Sequence, residues 1–208
     1  LFITFEGIDG SGKSTQARLL AGALGGLGWD VLLTREPGGS PGAEEIRALV
    51  LTGDPGRWSP EAELLLFNAA RQDHVARVIR PALDSGRVVI CDRFADSTRV
   101  YQGAASPALR QAADYLQTHL IGLEPDLTLL IDMDPDVALR RGLARHSGED
   151  RFEDKGLAFQ RRQRAAYLGL ARAEPARFRV IDGGRAEAAV AADVLARVRD
   201  FPRRPGRS

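Results

Sequence analysis

The stretch Gly7-Ile8-Asp9-Gly10-Ser11-Gly12-Lys13-Ser14 fits the pattern G-x-x-x-x-G-K-[ST] without a gap. These residue types suit the cradling of a polyphosphate. Glycines let backbone N–H groups turn inward, a following helix adds the positive end of its dipole, and a lysine supplies a point charge. Lys13 is expected to reach the β- and γ-phosphates of a nucleotide, and the Ser14 hydroxyl to take a magnesium ion. Thr15 completes the nucleotide-binding stretch that starts at Gly7. The bland alternative is a chance glycine-rich turn.

Four other clusters could do chemistry. Asp92-Arg93 closes an apolar run, and ligands of open α/β sheets bind beyond the carboxyl ends of strands. Arg93 is therefore expected beside the phosphate loop, with Asp92 holding Arg93 or a magnesium-bound water. The competing reading is a surface salt bridge. Phe67, Arg71, His74 and Val78 share one helix face by their spacing. Phe67 could stack on a base and Arg71 could donate to its carbonyl oxygen. Taken alone, though, Phe67 reads more readily as core. Thr34-Arg35-Glu36-Pro37-Gly38-Gly39 forms a turn that can bring backbone and charge to a ligand, and a cis Glu36–Pro37 bond is compatible with it. Arg140, Arg141, Arg145 and Arg151 flank His146-Ser147-Gly148-Glu149-Asp150. This basic, glycine-containing stretch reads as a lid over phosphates at about residues 141–152, the alternative being a solvated helix face.

These groups need a scaffold. Short apolar runs at 1–5, 30–34, 87–91, 127–133 and 178–182 read as strands. Helical patterns fall at about 13–28, 42–52, 60–84, 107–122, 135–145, 153–173 and 186–199. Such alternation argues for a parallel sheet with helices on both faces. Strand 1–5, the glycine loop and helix 13–28 place Lys13 and Ser14 at a helix N-terminus, as the cradle requires. Pro107 and Pro135 sit near helix starts, where a missing N–H is harmless. Residues 1–200 read as a single domain and 201–208 as a frayed tail.

Composition excludes several classes. The net charge is +1, so no broad footprint for nucleic acid or an anionic membrane is expected. The only lysines are Lys13 and Lys155. Cys91 is the single cysteine, so no disulfide forms within the chain, and it reads as a small buried hydrophobe. His74, His119 and His146 lack metal-ligand spacing. No run is long enough to span a bilayer and no secretory signal is read, so a cytoplasmic location is expected.

With these motifs in view, the chain resembles the thymidylate kinases over about residues 2–198. The resemblance rests on Phe5-Glu6-Gly7-Ile8-Asp9-Gly10-Ser11-Gly12-Lys13-Ser14-Thr15, Thr34-Arg35-Glu36-Pro37-Gly38-Gly39 and Phe67-Asn68-Ala69-Ala70-Arg71. Asp92-Arg93-Phe94 with Ser97-Thr98, Tyr101-Gln102-Gly103, and Pro125-Asp126-Leu127-Thr128 leading to Asp132 complete it. It implies a three-layer P-loop fold with a five-stranded parallel sheet, ATP with Mg²⁺ as donor and thymidine monophosphate (dTMP) as acceptor. It also implies a homodimer, with no nucleic acid or membrane partner.

By the same resemblance, Asp9 meets the sugar 3′-hydroxyl and Arg93 bridges the two phosphates. Phe67 stacks on thymine, Arg71 reaches O4 and Thr98, next to Ser97, lies near N3. Tyr101 packs on the sugar, with Gln102 on the same wall. Arg47, with Arg35, looks like a further contact to the acceptor phosphate. Some members carry a basic residue where this chain has Gly10. Here the lid arginines are expected to supply that charge, Arg145 foremost, with Arg140 near ATP. Phe94 stands where many members have tyrosine or histidine.

Two other classes compete with this reading. Another P-loop monophosphate or nucleoside kinase would share the loop. However, an amino group at the position of O4 would meet the Arg71 donors and leave buried polar groups unpaired. A nucleotide switch would need no second anion pocket, whereas Arg35, Arg47 and Arg93 suggest one.

Overall fold

Each of the apolar runs forms a strand: β1 (Phe2–Glu6), β2 (Val31–Arg35), β3 (Val88–Asp92), β4 (Leu127–Asp132) and β5 (Phe178–Asp182). All pair in parallel, in the order β2-β3-β1-β4-β5. The computed structural model describes residues 1–54, 56–143 and 156–202. β1 is central, so the loop that follows it opens where its neighbours on either side also end. In the register, Asp92 stands opposite both Phe5 and Arg35. Three of the expected motifs therefore start from one edge of the sheet.

Helices cover both faces. They are α1 (Lys13–Gly26), α2 (Pro41–Leu51), α3 (Pro60–His74), α4 (Arg80–Asp84), α5 (Ala95–Tyr101), α6 (Pro107–Leu116), α7 (Pro135–Leu143), α8 (Gly156–Ala173) and α9 (Glu187–Arg199). Alternation along β1 sorts the core. Ile3 and Phe5 join Leu20 and Leu24 of α1 and Val190, Val194 and Val198 of α9. Phe2 faces the other way, with Val75, Ile79, Val89 and Phe94. Thr4 and Glu6 share that second face, where the buried hydroxyls of Thr4 and Thr128 lie 2.9 Å apart. Beneath the site, one side of the sheet thus carries a polar band.

Two helix expectations are refined. The pattern at 60–84 is interrupted by a wider π-turn at Val75–Ile79. Pro81 has no N–H to donate and its ring crowds the preceding turn, so the ladder loosens just before it. The pattern at 107–122 likewise ends in a π-turn, Gln117–Ile121, closed by left-handed Gly122. Helix α5 was not expected at all. No local Ser, Thr, Asp or Asn caps it: its N-cap is Phe94, with no side-chain cap of its own. No helix among the described residues is long and apolar enough to cross a membrane.

Candidate active site

The phosphate loop is shaped by close backbone approaches. A Cβ at Gly7 would lie 2.7 Å from the Ile131 carbonyl oxygen, and one at Gly10 would overlap the Ala138 carbonyl of α7. Glycine at position 10 is therefore a packing requirement, set by α7 lying on the loop. Gly12 is left-handed, and α1 begins at Lys13 with no side-chain cap and no acidic residue in its first turn. The N–H groups of that turn and the helix dipole form an anion site. Lys13, buried at 7% exposure, folds back to donate from Nζ to the Ile8 carbonyl oxygen at 3.4 Å. Asp9 Oδ1 lies 3.5 Å from the same nitrogen. Burial, then the charge of Arg93, lowers the Lys13 pKa. Ser14 and Thr15 are half-buried on the same turn.

Arg93 comes from the turn after β3 and is the one described non-glycine residue with positive φ, 71°. Its Nη2 donates to Asp9 Oδ1 and, at 3.4 Å, to Tyr101 Oη. Nη1 donates to Ser97 Oγ at 3.0 Å and to Tyr167 Oη at 3.4 Å. Tyr101 in turn donates to Asp9 Oδ2 at 2.9 Å. Burial works to raise the Asp9 pKa, but Arg93 and then Lys13 outweigh it and hold it at about 2. Asp9 thus carries a full negative charge between two cations. Asp92 does not pair with Arg93: its Oδ1 is buried and has no hydrogen-bond partner.

Beside the loop opens a cleft of about 160 Å³ lined by Asp9, Glu36, Arg47, Phe67, Arg71, Arg93, Phe94, Ser97, Thr98, Tyr101 and Gln102 among others. Phe67 is half-buried in the wall, which overturns the core reading of that residue. Arg71 is 3% exposed and is held on two sides. Its Nε donates to Glu36 Oε2 at 2.7 Å and its Nη2 to Thr98 Oγ1 at 2.9 Å. Its guanidinium carbon lies 5.1 Å from the ring centroid of Phe94, and Phe94 packs edge-on against Phe2. At this position, then, the phenyl ring provides packing. Arg47 Nη1 donates to the Pro37 carbonyl oxygen at 2.5 Å, and the Glu36–Pro37 bond is cis. Gln102 donates to Glu63 Oε1 at 2.8 Å.

The structure does not gather every expected residue. Arg35 is absent from the cleft lining and donates to Glu44 Oε2 at 3.0 Å on the surface. Arg140, on α7, is likewise outside it. Arg145, Arg151, the lid from residue 144 onward and the tail from 203 lie outside the described residues. Sequence reasoning gave no role to Glu6, Tyr167 or the Glu36 carboxylate. Glu6 carried a signal: a carboxylate ending an otherwise uncharged strand beside a phosphate loop must be buried, and so must find donors. Tyr167 carried none.

Glu36, His74 and Cys91 bring potential ligand atoms within 4.8 Å of one another. Both Glu36 oxygens are already engaged, by Arg71 and His74, and burial drives the Cys91 pKa well up. This is a polar buttress for Arg71 and a poor metal site.

A phosphate loop opening onto a cleft with its own arginines has room for two phosphorylated ligands, which is the layout of a P-loop nucleotide kinase. The family model for thymidylate kinase matches residues 5–194. A thymidylate kinase of Dinoroseobacter shibae is 68% identical over 93% of this chain and 94% of its own length. One of Ruegeria pomeroyi is 66% identical over 93% and 92%. The crystal structure of thymidylate kinase from Ehrlichia chaffeensis superposes with a TM-score of 0.76 at 35% identity, covering 95% of this chain and 98% of that one. The chain belongs to the thymidylate kinase family. It is accordingly a nucleoside monophosphate kinase that takes ATP as phosphoryl donor and converts dTMP to dTDP on the way to dTTP.

Proposed function

We propose that the cleft is the dTMP site and the phosphate loop the ATP site, with Arg93 and Asp9 at their junction. The observation that carries this reading is the Lys13–Asp9–Arg93 cluster, which joins the loop to the cleft. Asp9 pairs with the two cations that the phosphates would engage. On binding, Lys13 passes to the β/γ-phosphates and Arg93 to the oxygens between donor and acceptor, freeing Asp9 for the sugar hydroxyl. Tyr101 limits room at the sugar. Phe67 stacks on the base, Arg71 donates to its O4, Thr98 and Ser97 hold the arginines in place, and Gln102 lines the wall. Arg47 takes the acceptor phosphate, and Arg35 reaches it only on leaving Glu44.

An oxygen of the dTMP phosphate forms the new bond to the γ-phosphorus while the bond to the β,γ-bridging oxygen breaks and ADP leaves. That oxygen is anionic at neutral pH, so no general base is assigned. Catalysis is positioning and charge stabilisation. Ser14 and Asp92 are the residues that would hold Mg²⁺, and the unpartnered Asp92 Oδ1 fits this, directly or through water. When bound, the ion neutralises charge on the β- and γ-phosphates. Arg145, with Arg140 and Arg151 nearby in sequence, is assigned the closing charge.

We also read residues 1–200 as one domain, in a cytoplasmic homodimer. Leu65, Tyr115 and Leu120, at 59%, 63% and 53% exposure, are the apolar surface we assign to the dimer. A coupled ADP-release assay across a panel of nucleoside monophosphates tests the acceptor assignment: dTMP is expected to be strongly preferred. Equal turnover with a cytidine monophosphate would overturn it.

A further inference from the structure

Glu6 ends β1 one residue before the phosphate loop and is fully buried, at 0% exposure. An isolated carboxylate there would be strongly unfavourable. It persists because four donors converge on it. Oε1 accepts from the Phe94 N–H at 2.8 Å and from the Ser97 N–H at 3.3 Å. Oε2 accepts from Ser97 Oγ at 2.6 Å and from Tyr167 Oη at 3.0 Å.

Each donor lies next to Arg93. The Phe94 and Ser97 N–H groups belong to the N-cap and first turn of α5, which no local side chain caps. Glu6 caps that helix from 88 residues away in sequence, and so pins the left-handed turn at Arg93. The two hydroxyls are the ones that accept from Arg93 Nη1. Because Glu6 takes the hydroxyl protons, the oxygen lone pairs turn toward the guanidinium. The relay runs from carboxylate to hydroxyl to guanidinium and sets both the backbone and the head of Arg93.

We infer that Glu6 is a positioning residue for phosphoryl transfer, acting through Ser97, Tyr167 and the N-terminus of α5 to hold Arg93 in its reacting pose. This rests on the reading that Arg93 acts at the transferring phosphoryl. The role calls for an acceptor of four donors, which a glutamine amide cannot reproduce: its NH₂ would face a hydroxyl and reverse it, turning a proton toward Arg93.

The test is a double-mutant cycle on kcat with dTMP and ATP at pH 8, where Glu6, whose pKa burial raises to about 7, is the carboxylate that accepts from all four donors. Glu6→Gln is expected to lower kcat by about 10–100-fold, the range for a misplaced electrostatic group, with both KM values within about threefold of wild type. Arg93→Ala is expected to lower kcat by at least as much, and Glu6→Gln added to Arg93→Ala to lower it little further. A normal kcat in Arg93→Ala would overturn the Arg93 reading and this inference with it. A low kcat in Arg93→Ala alongside a normal one in Glu6→Gln, or fully multiplicative losses in the double variant, would overturn the Glu6 role alone. Should Glu6→Gln not fold, Tyr167→Phe carries the test, since it removes one arm of the relay and leaves the cap. A several-fold loss in kcat at unchanged KM supports the relay, and an unchanged kcat rejects it.

Discussion

Arg71 and Glu36 form a buried ion pair, Nε to Oε2 at 2.7 Å, with the two side chains 3% and 4% exposed. The pair is itself braced: His74 Nδ1 lies 3.1 Å from Glu36 Oε1, and its Nε2 lies 2.8 Å from Thr34 Oγ1. Against a carboxylate the Nδ1 proton is the donor, which sets the tautomer. A chain of contacts thus runs from Thr34 through His74, Glu36 and Arg71 to Thr98. It fixes a guanidinium in the wall of the cleft.

That geometry makes the role of Arg71 in base choice testable. Arg71→Ala is expected to reduce kcat/KM for dTMP by about 10²-fold or more, since a hydrogen bond to a charged group contributes ~1.5–3 kcal/mol and Glu36 is also left unpaired. The KM for ATP should hardly change. Steady-state kinetics with each substrate varied in turn checks this. Equal losses toward dTMP and ATP would place Arg71 outside the acceptor site.

Lys13 is the second test. Lys13→Ala removes the point charge but leaves the backbone cradle of α1 intact, so ATP binding should weaken less than turnover. Turnover is expected to fall by roughly 10²–10⁴-fold, as for other preorganised electrostatic groups. Rapid-quench measurements at saturating ATP read the chemical step directly. Near-normal turnover there would remove Lys13 from the mechanism.

The sheet and the loop were legible because their signals are local. An apolar run, a glycine pattern and a helical stripe each lie within some fifteen residues, as do Phe67 and Arg71 on one turn of α3. What was not legible depends on partners far apart in sequence. Helix α5 carries no cap of its own and relies on Glu6, so no N-terminal signal precedes it. Glycine at position 10 resembled a missing cation, but its reason is the Ala138 carbonyl on a helix that starts at residue 135. Arg35 looked equivalent to Arg47 by charge. Glu44, folded back from α2 onto the Gly39 N–H at 2.8 Å, holds Arg35 away from the cleft.

Asp9 and Glu6 should move stability in opposite directions with pH. Asp9 is depressed from 3.8 to about 2, so the unfolded chain binds its proton first. Its contribution, about 2 kcal/mol by linkage, is fully present above pH 4 and lost as pH falls toward 2. Glu6 is raised from 4.5 to about 7 by burial first and then by Asp96, so the folded state holds its proton longer. The stability Glu6 lends is present below pH 4.5 and is lost as pH rises through 7. Arg93 and Lys13 face it as cations, and the Cys91 thiol and Tyr167 phenol as neutral groups. Any melting deficit of Glu6→Gln should therefore be smaller at pH 8 than at pH 5, even as its kcat falls. Thermal melts at pH 5 and pH 8 decide this. A variant destabilised more at pH 8 than at pH 5 would contradict the sign.

The last prediction concerns the lid. With glycine at position 10, the loop has no side-chain cation beyond Lys13, so the remaining charge at the transferring phosphoryl must come from elsewhere. An arginine supplied this way contributes 10³–10⁵-fold in related P-loop systems, and candidates sharing the job should each contribute less. Arg145→Ala is expected to lower kcat while leaving the dTMP Kd nearly unchanged, because a closing arginine acts in the reacting state. Adding an arginine to the loop is the obvious compensation, and here it should fail. Gly10 has φ of 84°, and a Cβ there overlaps the Ala138 carbonyl. Gly10→Arg must therefore strain the loop and push α7 away, at a cost of about 2 kcal/mol or more. The variant should melt several degrees lower and, combined with Arg145→Ala, restore no rate. Thermal melts with kcat for both single variants and the double variant check the set. Recovery of rate by Gly10→Arg would show that α7 yields without loss. An unaffected kcat in Arg145→Ala would instead shift the role to Arg140 or Arg151.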